Sequence, residues 1–197
     1  MILNYLWRMG NIALLLLPIW VLVRFLWLRR QKSLPVNWYH EIGLAVFVLF
    51  LAGLANLTIS SQWELYLQPQ IRGEVNLIPF RTLWPMFQEM LKDGHSLINV
   101  LGNLLLFAPI GFLIPLLWPP KHPLRTGTFY TMLVSVLIEL LQLFSWRSTD
   151  VDDVILNTLG GWLGSCCCFL LCKHCSRWFA RFRYSSQQGE NTLKEKS

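Results

Sequence analysis

Polar residues that could bind a ligand recur at helical spacing within apolar stretches of the second half of the chain. Asn99 and Asn103 are four residues apart, and Glu139 and Gln142 are three apart. Residues at these spacings share one face of a helix. A carboxylate in an apolar segment indicates a protein interior or a wet cavity, because lipid does not solvate it. These side chains therefore predict a polar pocket.

An acidic cluster, Asp150, Asp152 and Asp153, precedes Asn157 at the start of the last apolar stretch. Three interpretations are open. The carboxylates could cap a helix, since acidic side chains complement the dipole at its start. They could instead pair with Arg147, or hold a hard divalent cation. Capping and pairing are favoured, so the sequence predicts no cofactor and keeps the three aspartates as the only metal candidates.

The composition of the chain is typical of a membrane protein. Of its 197 residues, 54% are hydrophobic and 14% are charged, whereas a soluble domain has about 25% charged residues. The apolar residues form long blocks, and a helix satisfies its own backbone in lipid. Five blocks are near the ~20 residues that cross a bilayer, at 9–28, 41–59, 97–118, 126–146 and 152–172. The predicted fold class is an all-α transmembrane bundle.

The basic residues predict how the helices are oriented. Most of them flank the helix ends that share a side with the C-terminus, including Arg29, Arg30, Lys121 and Arg125. The positive-inside rule then places the N-terminus outside and the C-terminus in the cytoplasm. The net charge of +6 is explained by orientation and anionic lipid, so the predicted partner is the bilayer and not nucleic acid.

The connection at about 60–96 is expected to lie outside. Leu83, Trp84 and Phe87 have helical spacing there, which predicts a short amphipathic helix in the outer interface. A lid packed over the bundle is the alternative. The preceding stretch, 76–81, is predicted to be extended because of its X-Pro step.

Three of the polar side chains are predicted to lie at one depth in the membrane. With this orientation and a rise of about 1.5 Å per residue, Asn103, Glu139 and Asn157 are about 8–10 Å below the outer surface. Asn103 and Asn157 are expected partners of Glu139, with Arg81 or Arg147 if their loops fold inward. The pocket candidates are Asn76, Arg81, Asn99, Asn103, Glu139, Gln142, Arg147, Asp150, Asp152, Asp153 and Asn157.

Five cysteines lie together between Cys166 and Cys175, at the end of the last apolar block. Cys172 and Cys175 have the spacing of a metal or redox pair, but no second pair completes a zinc site. They are interpreted as small apolar helix residues. The predicted regions are two N-terminal helices (1–60), a membrane domain (61–172) and a basic, polar cytoplasmic tail (173–197).

Several short motifs carry a family resemblance. In chain order they are Asn76-Leu-Ile-Pro79-Phe80, Asn99-Val-Leu-Gly102-Asn103, Phe107-Ala-Pro109-Ile-Gly111-Phe112, Glu139-Leu-Leu-Gln142, Asp150-Val-Asp152-Asp153 and Asn157-Thr-Leu-Gly160-Gly161. Over residues 76–164 the chain resembles the VanZ-like family of bacterial membrane proteins. The named member of that family is associated with resistance to glycopeptide antibiotics, teicoplanin in particular. The resemblance implies a protein of the bacterial inner membrane with an envelope role, and it implies no reaction.

Three functions remain open. The first is a non-enzymatic envelope protein that binds an amphipathic or lipid-linked molecule in the outward-facing pocket. The second is a membrane-embedded enzyme acting on a lipid-linked headgroup, with a metal on the aspartates and His95 or Glu139 moving a proton. The third is a small proton-coupled transporter, which would need oligomers because five helices are few. The first is favoured, so the sequence favours a protein that is not an enzyme.

Overall fold

The computed structural model of the chain describes residues 2–30, 36–59, 75–90, 94–143 and 148–183. These residues form helices joined by short connections, which confirms the predicted all-α bundle. The elements are α1 (Ile2–Arg30), α2 (Trp38–Ile59), β1 (Val75–Asn76), α3 (Leu83–Met90), α4 (Gly94–Leu117), α5 (Pro123–Leu143), β2 (Thr149–Asp150), α6 (Val151–His174) and α7 (Ser176–Phe179), followed by a 3-10 turn (Ala180–Phe182).

Four of the described helices, α2, α4, α5 and α6, are long and apolar enough to cross a membrane. Their bounds lie within a few residues of the predicted spans, because the apolar blocks end at polar or charged residues. Their outward side chains are apolar and exposed, as for Leu105 and Phe129. The first predicted span, 9–28, falls within α1, and its crossing of the membrane remains a prediction.

Glycines bring α4 and α6 into backbone contact. A Cβ at Gly160 or Gly164 of α6 would overlap the carbonyl oxygens of Leu104 and Ala108 in α4. A Cβ at Gly111 would overlap the backbone of α6 in the same way. Small residues four apart permit such close approach in membrane helices. Gly160 and Gly164 form such a pair, and both lie against the backbone of α4.

Small polar residues lie where α6 packs against α4 and α5. Ser165 of α6 is fully buried and donates its hydroxyl to the carbonyl oxygen of Gly111 in α4 at 2.9 Å. Thr131 is also fully buried, and it donates to the carbonyl oxygen of Gly127 at 2.8 Å. Both hydroxyls therefore have hydrogen-bond partners within the bundle, which lowers the free-energy cost of burying them.

The helices α2, α4 and α5 share an apolar core of Leu54, Phe107, Ile110 and Ile138. Outside this core, α1 packs against α2. Arg24 of α1 forms a bidentate ion pair with Glu41 of α2, with nitrogen–oxygen distances of 2.5 and 2.8 Å.

The chain folds back after α6. The side-chain amide of Asn37, just before α2, donates to the carbonyl oxygens of Arg181 and Arg183 at 2.7 and 3.0 Å. His40 Nδ1 lies 2.9 Å from the carbonyl oxygen of Phe182. The first part of the region predicted as a basic tail is therefore attached to the bundle, while 184–197 lie outside the described residues.

Candidate functional site

Asp150 joins the start of α6 to the segment before α3. It is the N-cap of α6, and its side chain accepts a hydrogen bond from the Asp152 backbone N–H at 2.9 Å. It also accepts from the amide of Asn76 at 2.9 Å and from the hydroxyl of Thr82 at 2.5 Å. The short parallel strands reinforce this contact by pairing Val75 with Thr149 and Asn76 with Asp150. Capping is thus the interpretation that the geometry supports for Asp150.

Asp152 holds the turn that leads into α3. Its carboxylate is buried and accepts backbone N–H groups from Phe80, Thr82 and Leu83 at 2.5, 2.8 and 3.0 Å. Leu83 is the first residue of α3, where backbone N–H groups have no partner within the helix. The Asp152 carboxylate of α6 therefore supplies the acceptor for the start of α3. Phe80 adopts a left-handed backbone with φ of 65° within this turn.

The predicted extended stretch at 76–81 is therefore wrong from Pro79 onward. The strand ends at Asn76, and residues 79–82 form a turn. The X-Pro step at Ile78 does favour extended backbone locally. The chain bends immediately afterwards because three of its N–H groups point to one carboxylate.

Asp153 links α6 to α4. It accepts a hydrogen bond from the side-chain amide of Asn103 at 2.9 Å, and both side chains are half-buried. Asn99, one turn earlier on α4, is exposed. The two asparagines of α4 therefore differ: Asn103 is bound to the acidic cluster, while Asn99 presents its amide at the surface.

Glu139 is a buried carboxylate that contacts the start of α6. Its Oε2 accepts the backbone N–H of Asp150 at 3.1 Å, and its carbonyl oxygen accepts the hydroxyl of Thr149 at 3.3 Å. Of its predicted partners, Asn103 donates to Asp153 and Asn157 donates to Ser135. The structure thus gives Asn103 and Asn157 hydrogen-bond partners other than Glu139, and the common depth of the three residues in the membrane remains a prediction.

Asn157 and Thr158 of α6 each have a buried side-chain oxygen without a hydrogen-bond partner among the described residues. Asn157 is 4% exposed, and its Nδ2 donates to Ser135 Oγ at 2.9 Å. Its Oδ1 has no hydrogen-bond partner within the described part of the chain. An unpaired buried oxygen costs about 1–3 kcal/mol. Such an atom is the kind of group that a bound ligand or water satisfies.

Of the remaining candidates, the structure describes the side chains of Gln142 and Arg81. Gln142 is buried but donates to the carbonyl oxygen of Thr58 in α2 at 3.4 Å, so it joins two helices. Arg81 is exposed on the turn before α3. Arg147 lies outside the described residues, and only the backbone of His95 is described, in the first turn of α4.

The hydroxyl residues of the site were not predicted from the sequence. Thr82 and Thr149 bind the acidic residues, and Ser135 binds Asn157. A signal for Ser135 was available, because Thr131, Ser135 and Glu139 recur at intervals of four along α5. This spacing places a hydroxyl stripe on the same helix face as the carboxylate.

Within 2–30, 36–59, 75–90, 94–143 and 148–183, no group of three or more His, Cys, Asp or Glu side chains is arranged to hold a metal ion. The aspartates instead accept hydrogen bonds from the protein. The cysteines are free, and Cys168 and Cys172 lie one helical turn apart with their sulfurs at 3.9 Å.

The polar residues around the start of α6 form one connected group, here called the α6 entrance: Asn76, Thr82, Asn103, Glu139, Asp150, Asp152 and Asp153. Carboxylate oxygens dominate it, and their hydrogen bonds to the backbone and to amides fix their positions. Such a group is suited to recognise hydroxyl or amine donors on a ligand.

The fold and this group define a helical membrane protein with an acidic cluster at one end of a three-helix core. The chain belongs to the VanZ/LLP1 family, whose model matches residues 43–172. The match includes the whole α6 entrance, and it extends the resemblance found at 76–164 back into α2.

A relative from Enterococcus faecium supports the same family. The chain is 33% identical to "Protein VanZ" of that organism over 91 residues, which are 46% of this chain and 49% of the relative. The chain therefore spans about half the length of this curated relative. No solved structure matches the chain.

Proposed function

We propose that this protein acts in the envelope of the bacterial inner membrane by binding an amphipathic or lipid-linked molecule at the α6 entrance. Through that binding it would contribute to glycopeptide resistance, teicoplanin in particular. The observation that carries the proposal is the convergence of fixed carboxylates from α5 and α6 with the amide of Asn103 at one end of a membrane bundle.

Membrane and polar chemistry meet at this end of the protein. The helices α4, α5 and α6 are apolar enough to cross a bilayer, and the acidic residues lie at the start of α6. A ligand with an acyl chain and a hydroxyl-rich or amine-bearing headgroup would meet both environments. The proposal also takes the N-terminus as outside and the C-terminus as cytoplasmic, on the distribution of Lys and Arg.

Asn157 supports binding in preference to a purely structural role for the polar residues. Its buried Oδ1 has no partner among the described residues, and a group used only for packing would be satisfied. We expect a ligand donor to reach this oxygen from the α6 entrance.

The test is growth inhibition by teicoplanin and vancomycin in a sensitive Gram-positive host. Cells would express the wild type, Glu139→Gln or an empty vector, with variant levels in the membrane matched. Glu89→Gln is the control, because it makes the same chemical change at an exposed carboxylate of α3 outside the α6 entrance.

Protection by the wild type and Glu89→Gln, but not by Glu139→Gln, supports the proposal. Equal protection by the wild type, Glu89→Gln and Glu139→Gln retains the envelope role and assigns Glu139 to packing. Absence of protection by the wild type, together with absence of saturable teicoplanin binding to the purified protein, would overturn it. Growth and binding should both persist with a chelator present; their loss would favour the metal-dependent enzyme.

A further inference from the structure

The segment formed by β1, the following turn and α3 (residues 75–90), here called the α3 arm, exposes large apolar side chains. Leu77 is 72% exposed and Trp84 is 65% exposed, and Ile78, Phe80 and Phe87 are each at least half exposed. These values match Leu105, which is 70% exposed on the membrane-spanning helix α4. A water-facing surface seldom carries so many large apolar residues together.

Hydrogen bonds hold the backbone of the α3 arm that carries these exposed side chains. Asp152 binds three N–H groups of the turn, and Asp150 binds Asn76 and Thr82. Phe80 has a positive φ of 65°, an uncommon backbone for a bulky residue. The buried carboxylate therefore holds the turn in a conformation that leaves the Phe80 side chain exposed.

One residue of the arm points inward. Leu83 is buried against Val100 of α4 and Leu156 of α6. The first turns of α4 carry exposed apolar residues of their own, including Ile98 and Leu101. Since α3 packs against α4, the apolar surface of the arm continues the surface that α4 turns toward lipid.

A single cation lies within this apolar surface. Arg81 is exposed between Phe80 and Trp84, and no carboxylate lies within ion-pair distance of it in the described ranges. A guanidinium binds phosphate oxygens with two parallel hydrogen bonds. A lipid offers a phosphate and acyl chains side by side, which matches an arginine flanked by apolar side chains.

We propose that the α3 arm lies in the bilayer interface, with Leu77, Phe80 and Trp84 among the acyl chains and Arg81 on a phospholipid phosphate. Apolar faces of this kind enter about 5–10 Å into the boundary between headgroups and acyl chains. The inference does not depend on the proposed function, because it holds whichever molecule binds the α6 entrance.

Bimane fluorescence in vesicles of phosphatidylcholine and phosphatidylglycerol tests this placement. The native cysteines are replaced by serine or alanine, and Leu77→Cys or Trp84→Cys carries the probe in the full-length chain. Lys121→Cys, in the exposed loop after α4, is the control for a probe in water. Leu105→Cys, on α4, is the control for a probe in the acyl chains. Quenchers are iodide in the buffer and nitroxides at shallow or deep positions of the acyl chain.

We expect the probes at 77 and 84 to be quenched more by shallow than by deep nitroxides, and much less by iodide than the probe at 121. Iodide quenching equal to that at 121 would place the arm in water and overturn the proposal. Protection from both quenchers would also overturn it, because the arm would then be covered by protein.

Arg81 is tested with the probe at 77 and nitroxide-labelled phosphatidylglycerol or phosphatidylcholine. Arg81→Gln should reduce the local preference for phosphatidylglycerol about fivefold, whereas Arg81→Lys should retain it. Inorganic phosphate in the buffer should not change the preference. An unchanged preference in Arg81→Gln, or competition by inorganic phosphate, would refute lipid phosphate binding by Arg81.

Discussion

Asp150, Asp152 and Asp153 differ in what they bind, although they are nearly adjacent in the chain. Asp150 caps its own helix and binds side chains of the α3 arm. The Asp152 carboxylate accepts three backbone N–H groups of the α3 arm, and Asp153 accepts the Asn103 amide of α4. The three carboxylates are therefore not interchangeable, and their substitution should have separable effects.

Asp152→Ala should destabilise the protein more than Asp153→Ala. It removes a buried acceptor from three backbone donors, and hydrogen bonds to charged groups contribute about 1.5–3 kcal/mol each when not shared. We expect a loss of about 3 kcal/mol in unfolding free energy, against about 1 kcal/mol for the half-buried Asp153. Denaturation in mixed micelles measures the difference, and proteolysis should cut the α3 arm first in Asp152→Ala. Equal losses would contradict this account.

Ser135 and Asn157 permit a test that separates stability from function. Ser135→Ala alone removes the hydroxyl that accepts the Asn157 amide and should cost about 1–3 kcal/mol in unfolding free energy. The double variant Ser135→Ala/Asn157→Leu removes both polar groups and should unfold within about 1 kcal/mol of the wild type. Its resistance phenotype should nevertheless be lost. A double variant that is stable and still protective would assign Asn157 to packing.

Residue types and spacing identified polar side chains within the apolar stretches, but not the partners that these side chains bind. The asparagines and acids were found because they stand out within apolar blocks. The partners of Asp152 were missed because they are backbone N–H groups, which leave no pattern in the sequence. Phe80 was missed for a similar reason, since a positive φ is normally signalled by glycine.

At the scale of elements, the contact between α4 and α6 depends on the absence of side chains. Gly111→Ala would direct its Cβ into the backbone of Gly161, which cannot move aside as a flexible side chain could. We expect a loss of about 1–3 kcal/mol in unfolding free energy.

Gly102→Ala is the matched control on the same helix, because a Cβ there meets no atom within 4 Å. It should be neutral or stabilise the protein by up to about 1 kcal/mol, since alanine favours helix over glycine. Unfolding in mixed micelles compares the two. A Gly111→Ala variant as stable as Gly102→Ala would contradict this expectation, because α4 and α6 could then move apart without loss of unfolding free energy.

The long helices were well predicted from apolar blocks and the short helix α3 from the helical spacing of Leu83, Trp84 and Phe87, whereas the two-residue strands were not predicted. The α5 helix begins at Pro123, three residues before its predicted start, because proline fits the first turn of a helix. The pairing of β1 with β2 joins residues 74 positions apart and consists of two residues from each strand. A sequence pattern that short cannot identify a strand.

At the scale of the whole molecule, α1 is joined to the bundle by the ion pair between Arg24 and Glu41. Both side chains are largely buried, with 18% and 11% of each exposed. Glu41→Ala should leave Arg24 without its carboxylate and destabilise the packing of α1 by about 2 kcal/mol, discounted for partial exposure.

Hydrogen exchange measures this effect, because amides of α1 should exchange faster while those of α6 do not. The double variant Arg24→Leu/Glu41→Leu should recover most of the protection, since two apolar residues can replace a buried pair. Unchanged exchange in Glu41→Ala would show that other contacts of α1 suffice.

The position of Asp152 in the chain has a consequence for biosynthesis. The ribosome produces the N–H groups of Phe80, Thr82 and Leu83 between 69 and 72 residues before the carboxylate that accepts them. At about 5–20 residues per second, the nascent chain grows for about 3–15 s before that acceptor exists. We therefore expect the α3 arm to take its final shape only after the last spanning helix has entered the membrane, which makes it a late step of insertion.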